Sequence, residues 1–146
     1  MISITEIKKS ITHLLKQIQD IDVFYTNVSK TDSANQDEKI DQYYFVSLIP
    51  ISTSLFGGSM RDRAFYIDIS YVHDQASNND YMLWSESMDN LFLPYIKIDK
   101  RSVTIEESSF KIVDQVAHYT FTLKFRDVVD YTEDGIPADE LQINFK

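Results

Sequence analysis

The stretch that most restricts how this chain can fold is Arg61 to Val72, Arg-Asp-Arg-Ala-Phe-Tyr-Ile-Asp-Ile-Ser-Tyr-Val. Its side chains sort by parity. Arg63, Phe65, Ile67, Ile69 and Tyr71 share one face, and Asp62, Ala64, Tyr66, Asp68 and Ser70 share the other. Apolar residues at a period of two describe a strand with one face in a core and the other toward solvent or a partner. Gly57-Gly58 marks a turn before it, and the polar run from His73 to Asn79 marks a loop after it. A half-buried strand needs neighbouring strands and a covering layer, and the rest of the sequence offers both.

Two amphipathic helices are predicted as the covering layer. In residues 3 to about 20, Ile4, Ile7, Ile11, Leu14, Leu15 and Ile18 recur at three- and four-residue steps. Ser3 followed by Glu6 forms a capping box, in which each side chain satisfies a backbone donor at the helix start. A second helix is predicted over about 80–93, capped by Asn78, Asn79 or Asp80 and ended by Pro94. Tyr81, Trp84, Met88, Leu91 and Tyr95 form its stripe, which Met82, Leu83 and Phe92 broaden.

The remaining strands follow the same logic. Val23-Phe24-Tyr25 is short. Tyr43 to Ile51 is apolar on both faces, so it is covered on both sides by its own chain or by a neighbouring subunit. Pro50 suggests that this strand stops pairing there or lies at an edge. A loop over Ser52 to Met60 then joins it to the Arg61 strand as a hairpin with a long connection. Near the end of the chain, Val103 and Ile105 alternate with polar residues. Phe110-Lys111-Ile112 turns at Asp114-Gln115 into a strand with Ala117, Tyr119, Phe121, Leu123 and Phe125 on one side. The expected fold class is α+β, a mostly antiparallel or mixed sheet packed against two helices. A single domain is expected over 1–126, followed by an acidic extension over 127–146 in which Leu141, Ile143 and Phe145 offer one last strand. The polar run from Asn27 to Gln42 reads as a long loop.

Charge and composition narrow the function. The net charge is −9, with 23 acidic against 14 basic side chains, so the chain is not built to wrap nucleic acid. Like charge would still let it wall a passage through which DNA slides. There are no cysteines, which excludes a disulfide scaffold, a thiolate metal site and cysteine catalysis. No apolar run is long enough for a membrane span. Met1 to His13 lacks the pattern of a secretory signal, so synthesis and use in the cytoplasm are expected.

The search for reactive constellations returns none. His13, His73 and His118 do not cluster, and neither Gly-rich phosphate-binding pattern occurs. Glu106 and Glu107 are strand neighbours that point to opposite faces, so they make a poor acid–base pair. No catalytic, cofactor-binding or metal residue is therefore expected. Arg61 and Arg63 stand out instead, as a pair at the wet end of their strand suited to carboxylates across a subunit contact or within the chain. Leu141, Ile143 and Phe145 either pack on their own domain or add to a neighbour's sheet edge. Nine Tyr, nine Phe and one Trp also lean toward an assembled protein, since aromatics are enriched at interfaces.

The order of these elements resembles the phage tail terminator family. The resemblance rests on the N-terminal helix, the Val-Phe-Tyr strand, Tyr43-Tyr44-Phe45-Val46-Ser47-Leu48-Ile49, and the Arg61-x-Arg63 strand ending Asp68-Ile69-x-Tyr71, followed by a second helix and a meander. It spans residues 1 to about 126. The chain departs from the family pattern at Gln42, where members often carry a proline, and in its longer acidic extension. The resemblance implies a structural, non-enzymatic protein of the virion tail, in a phage or phage-like particle, assembled in the bacterial host cytoplasm. It implies a homo-oligomeric ring, typically a hexamer, on the head-proximal end of the tail tube. Its partners would be other copies of itself, the tail tube protein and the head–tail connector, with DNA only passing through the lumen and no membrane contact. The alternatives are another head–tail neck or adaptor protein, or a small α+β ligand-binding or enzymatic domain whose inner aromatics line a pocket with a polar group such as His118 or Asp68.

Overall fold

The computed structural model describes residues 2–25 and 41–128. Its elements, in chain order, are α1 (Ile4–Ile18), β1 (Val23–Phe24), β2 (Gln42–Phe56), β3 (Met60–His73), α2 (Asn78–Phe92), β4 (Tyr95–Ile98), β5 (Arg101–Thr104), β6 (Ser108–Val113) and β7 (Val116–Val128). The main sheet has the order β1-β2-β3-β7-β6, and β4 and β5 form a separate two-stranded sheet. β1 pairs parallel to β2, and every other pairing is antiparallel, so the sheet is mixed and the fold is α+β.

β3 lies at the middle of the sheet, and its parity is as the sequence requires. Phe65, Ile67, Ile69 and Tyr71 are buried, opposite Leu123, Phe121, Tyr119 and Ala117 of β7. From the other side Tyr44 and Val46 of β2 complete this inner face. α1 lays Ile7, Ile11 and Leu15 against it and α2 adds Tyr81, Trp84, Met88 and Phe92. Ile96, Ile98, Val103 and Ile105 close the same core from the small sheet and the residue after it.

Helix ends obey local chemistry. Ser3 and Glu6 form the anticipated capping box, with the Ser3 Oγ accepting from the Glu6 N–H at 3.1 Å and Glu6 Oε1 accepting from the Ser3 N–H at 3.1 Å. Those hydrogen bonds to Ser3 hold the Glu6 carboxyl below its ordinary pKa. α2 uses the same device one residue earlier than the sequence suggested. Its cap is Ser77, and Asp80 is the returning partner rather than the cap.

Three further expectations are corrected. β2 does not stop at Pro50 or Ile51; it continues to Phe56, because a bulge between Pro50 and Ser52 absorbs the irregularity and restores pairing with β3. The β2–β3 connection is therefore tight. Gly57 and Gly58 supply the positive φ angles of 64° and 75° that a short turn of this hand demands. Tyr95 does not extend the α2 stripe, since Leu93 ends the helix and Tyr95 opens β4 with its side chain exposed. Residues 26–40 and 129–146, which hold most of the predicted polar loop and the predicted last strand, lie outside the described residues.

Candidate assembly interface

The inner aromatics form a packed cluster rather than a pocket. The Trp84 ring lies 5.1 Å from Tyr71, 6.1 Å from Tyr44 and 6.4 Å from Tyr119, and Phe92 lies 5.4 Å from Phe121. Their polar tips are satisfied inside the protein. Trp84 Nε1 donates to the Tyr44 hydroxyl at 3.2 Å, and the Tyr119 hydroxyl donates to Asp89 Oδ1 at 2.7 Å. Burial pushes the Tyr44 hydroxyl up to about 12 and raises Tyr119 as well, so both stay neutral over the ordinary pH range.

His118 and Asp68 sit on the opposite, outer face of the sheet, so the aromatics and these polar groups do not converge. His118 Nδ1 is 3.1 Å from Asp68 Oδ1 and 3.1 Å from Ser70 Oγ. A nucleophilic serine needs its hydroxyl on one imidazole nitrogen and the carboxylate on the other. Here both compete for the same nitrogen, so the trio cannot relay a proton from Ser70. His73 contacts the Tyr71 hydroxyl through Nδ1 at 3.4 Å, and His13 lines a groove elsewhere. Among the described residues no group of His, Asp and Glu is arranged to hold a metal ion.

That groove runs between α1 and the segment joining α2 to β4, with a volume of about 790 Å³. Leu14, Leu91, Leu93 and Ile96 form its apolar wall, while Lys9, His13 and Lys97 stand among its polar residues.

The two arginines part company. Arg63 was expected at a wet end, yet its side chain is only 12% exposed. Its Nη1 donates to the Ile2 carbonyl at 2.8 Å and lies 3.4 Å from Asp127 Oδ2. The guanidinium also rests 4.9 Å from the Phe65 ring and 5.5 Å from the Phe125 ring, an aromatic shelf that suits a partly desolvated cation. The Asp127 side chain is fully buried and takes a second arginine, Arg101, whose Nη1 donates to Oδ1 at 2.8 Å. The Ile2 backbone N–H donates to both Asp127 oxygens, at 3.2 and 3.3 Å. This carboxylate thus ties the start of the chain to β3, β5 and the end of β7. Arg61 lies one pair nearer the hairpin turn, in register between Leu55 of β2 and Asp127 of β7.

Sequence reasoning missed Asp127, because it reads as the first residue of an acidic tail; the strand in fact carries two residues past Arg126. The alternative reading of Pro50, that the strand lies at an edge there, holds, but the length of the edge was missed. β1 pairs only with Tyr44 and Phe45, so from Val46 onward β2 has no neighbour on that side among the described residues. Ile49, Ile51 and Leu55 are 48%, 56% and 74% exposed along it. Leu141, Ile143 and Phe145 lie outside the described residues.

The described residues thus form a mixed α+β domain with a packed aromatic core and, among those residues, an unpaired stretch of β2 edge that exposes apolar side chains. The profile of the phage tail terminator protein family matches residues 6–135, and the chain belongs to that family. Among curated proteins none matches it. One solved structure, of a protein without a descriptive name, aligns over 90% of this chain and 99% of its own at 15% identity with a TM-score of 0.46, a likeness too slight to bear on function. No helix among the described residues is long and apolar enough to cross a membrane.

Proposed function

We propose that this protein closes the phage tail tube: copies of it form a ring on the head-proximal end, stop further tube polymerisation and offer the docking face for the head connector. Membership of the phage tail terminator family carries this reading. The surface supports it. The β2–β3 hairpin is built from strands of 15 and 14 residues and exposes an apolar edge that a lone domain has no use for. The acidic balance of the chain, −9 overall, suits a lumen through which DNA passes without adhering.

Within that ring the hairpin-turn end of β3, which carries Arg61, is where a neighbouring subunit is met. Electron microscopy of the purified full-length protein, alone and with tube protein, tests the ring. Closed rings with a central hole are expected, and a monomer under both conditions refutes the reading.

A further inference from the structure

The two edges of the main sheet are built differently. β6, at one edge, is a strand of 6 residues that carries Lys111. β2, at the other edge beyond the reach of β1, runs to Phe56 without a single Asp, Glu, Lys or Arg between Gln42 and Phe56. Natural sheets blunt exposed edges with charges, with short strands or with a cover, because an open edge presents unpaired backbone donors and acceptors to any passing strand. Only Pro50 and the adjacent bulge interrupt this one. A long, uncharged edge with Ile49, Ile51 and Leu55 exposed is a template for strand addition.

Two stretches of sequence outside the described residues are candidates to fill it. Residues 26–40 carry Lys30, Asp32, Asp37, Glu38 and Lys39 with no apolar alternation, so they match neither the charge nor the pattern of the edge. Leu141-Gln142-Ile143-Asn144-Phe145 is uncharged and strictly alternating, which matches both. The chain leaves β7 at Val128, opposite Met60, so this segment is tethered at the hairpin-turn end of the sheet, the same end at which Leu55 is exposed. Its tether, residues 129–140, holds Asp130, Glu133, Asp134, Asp139 and Glu140, no basic residue, and Pro137. A dozen residues can span at most roughly 40 Å, enough to carry the segment past the edge of the home domain.

We propose that Leu141–Phe145 of one copy adds as a strand to the β2 edge of a neighbouring copy, covering the apolar side chains exposed there. The idea rests on the ring reading, in which each subunit has a neighbour at a fixed place. It makes the contact head-to-tail: every subunit gives one strand and receives one, so the surfaces that meet are different and a ring can close.

The absence of cysteines allows a clean test with full-length protein. One set of chains carries a single cysteine on the edge (Ser47→Cys, Ser52→Cys or Ser54→Cys), and the other carries Gln142→Cys or Asn144→Cys. Mixed under mild oxidation, at least one edge–tail combination should give a disulfide-linked heterodimer about tenfold faster than a Lys97→Cys control on the small sheet, because docking raises the local concentration of the thiols. Adding Ile51→Lys to the recipient should abolish that excess. Rates equal to the control in every combination overturn the proposal. The same samples are imaged for rings: rings without the linkage overturn the strand addition alone, and linkage without rings overturns the ring reading alone.

Discussion

Asp127→Ala is the substitution for which the structure gives the sharpest expectation. The change removes the shared acceptor of Arg63, Arg101 and the Ile2 N–H at once. These losses are unequal. Arg101 is close to half exposed and keeps its bond to the Arg126 carbonyl, so its share is about 0.5 kcal/mol. The Ile2 N–H is buried and loses both of its acceptors, at about 1 kcal/mol. Arg63 is the decisive term, since breaking a buried ion pair by deleting one partner costs about 3–5 kcal/mol. Its Ile2 carbonyl and its two aromatic faces remain, which places it at the low end of that range. Because the three terms share one carboxylate they do not simply add, and a total of about 3–4 kcal/mol is expected. Urea unfolding followed by Trp84, the single tryptophan and a core residue, reads this directly. In the same assay Arg101→Ala should cost about 0.5 kcal/mol. An Asp127→Ala cost below about 1 kcal/mol would refute the reasoning, because the carboxylate would then not be what holds Arg63 in place.

Further expectations follow from the same contacts. Arg61→Ala should lower the yield of rings while the chain stays folded; unchanged assembly would remove Arg61 from the subunit contact. Met88 is fully buried in the core, so Met88→Ala should cost about 2–5 kcal/mol in the urea assay, and a near-neutral result would mean that α2 is not packed as described. Stability should fall as pH rises above 10. The Tyr44 hydroxyl titrates near 10 when unfolded and at about 12 when folded, so between those values the folded state binds more protons and deprotonation favours unfolding. Tyr119 shifts in the same direction, and each such tyrosine contributes about 1.4 kcal/mol per pH unit in that window. A urea midpoint that stays level from pH 9 to 11 would contradict the buried placement of these hydroxyls.

What the sequence revealed, and what it hid, divides by the range of the forces involved. The capping box of α1, the parity of β3 and β7 and the Asp114-Gln115 turn are local. Each is encoded by residues a few positions apart, and each is found as anticipated; Asp114 and Gln115 take the positive φ angles of 51° and 66° that a tight hairpin needs. The second half of β2 was hidden because Ser52-Thr53-Ser54 has no apolar alternation, and its strand character comes from pairing with Ala64, Arg63 and Asp62. β4 was hidden because Tyr95 falls at a helical spacing from Leu91, and only the break at Leu93 separates the two elements. The Asp127 cluster leaves no local trace. Its partners Ile2, Arg63 and Arg101 are 125, 64 and 26 residues away, so a buried carboxylate looked like the first charge of a solvated tail. The fate of Arg63 follows from that omission, for without Asp127 nothing in the sequence separates it from Arg61.

The measurement that bears most directly on the central claim is the length of tubes polymerised from purified tail tube protein in the presence and absence of this protein, with the tube ends imaged. The account predicts that added protein halts elongation and appears as a ring at one end only, with tube length falling as its concentration rises. Tubes that grow to the same length with bare ends, while the protein remains monomeric beside them, would contradict it.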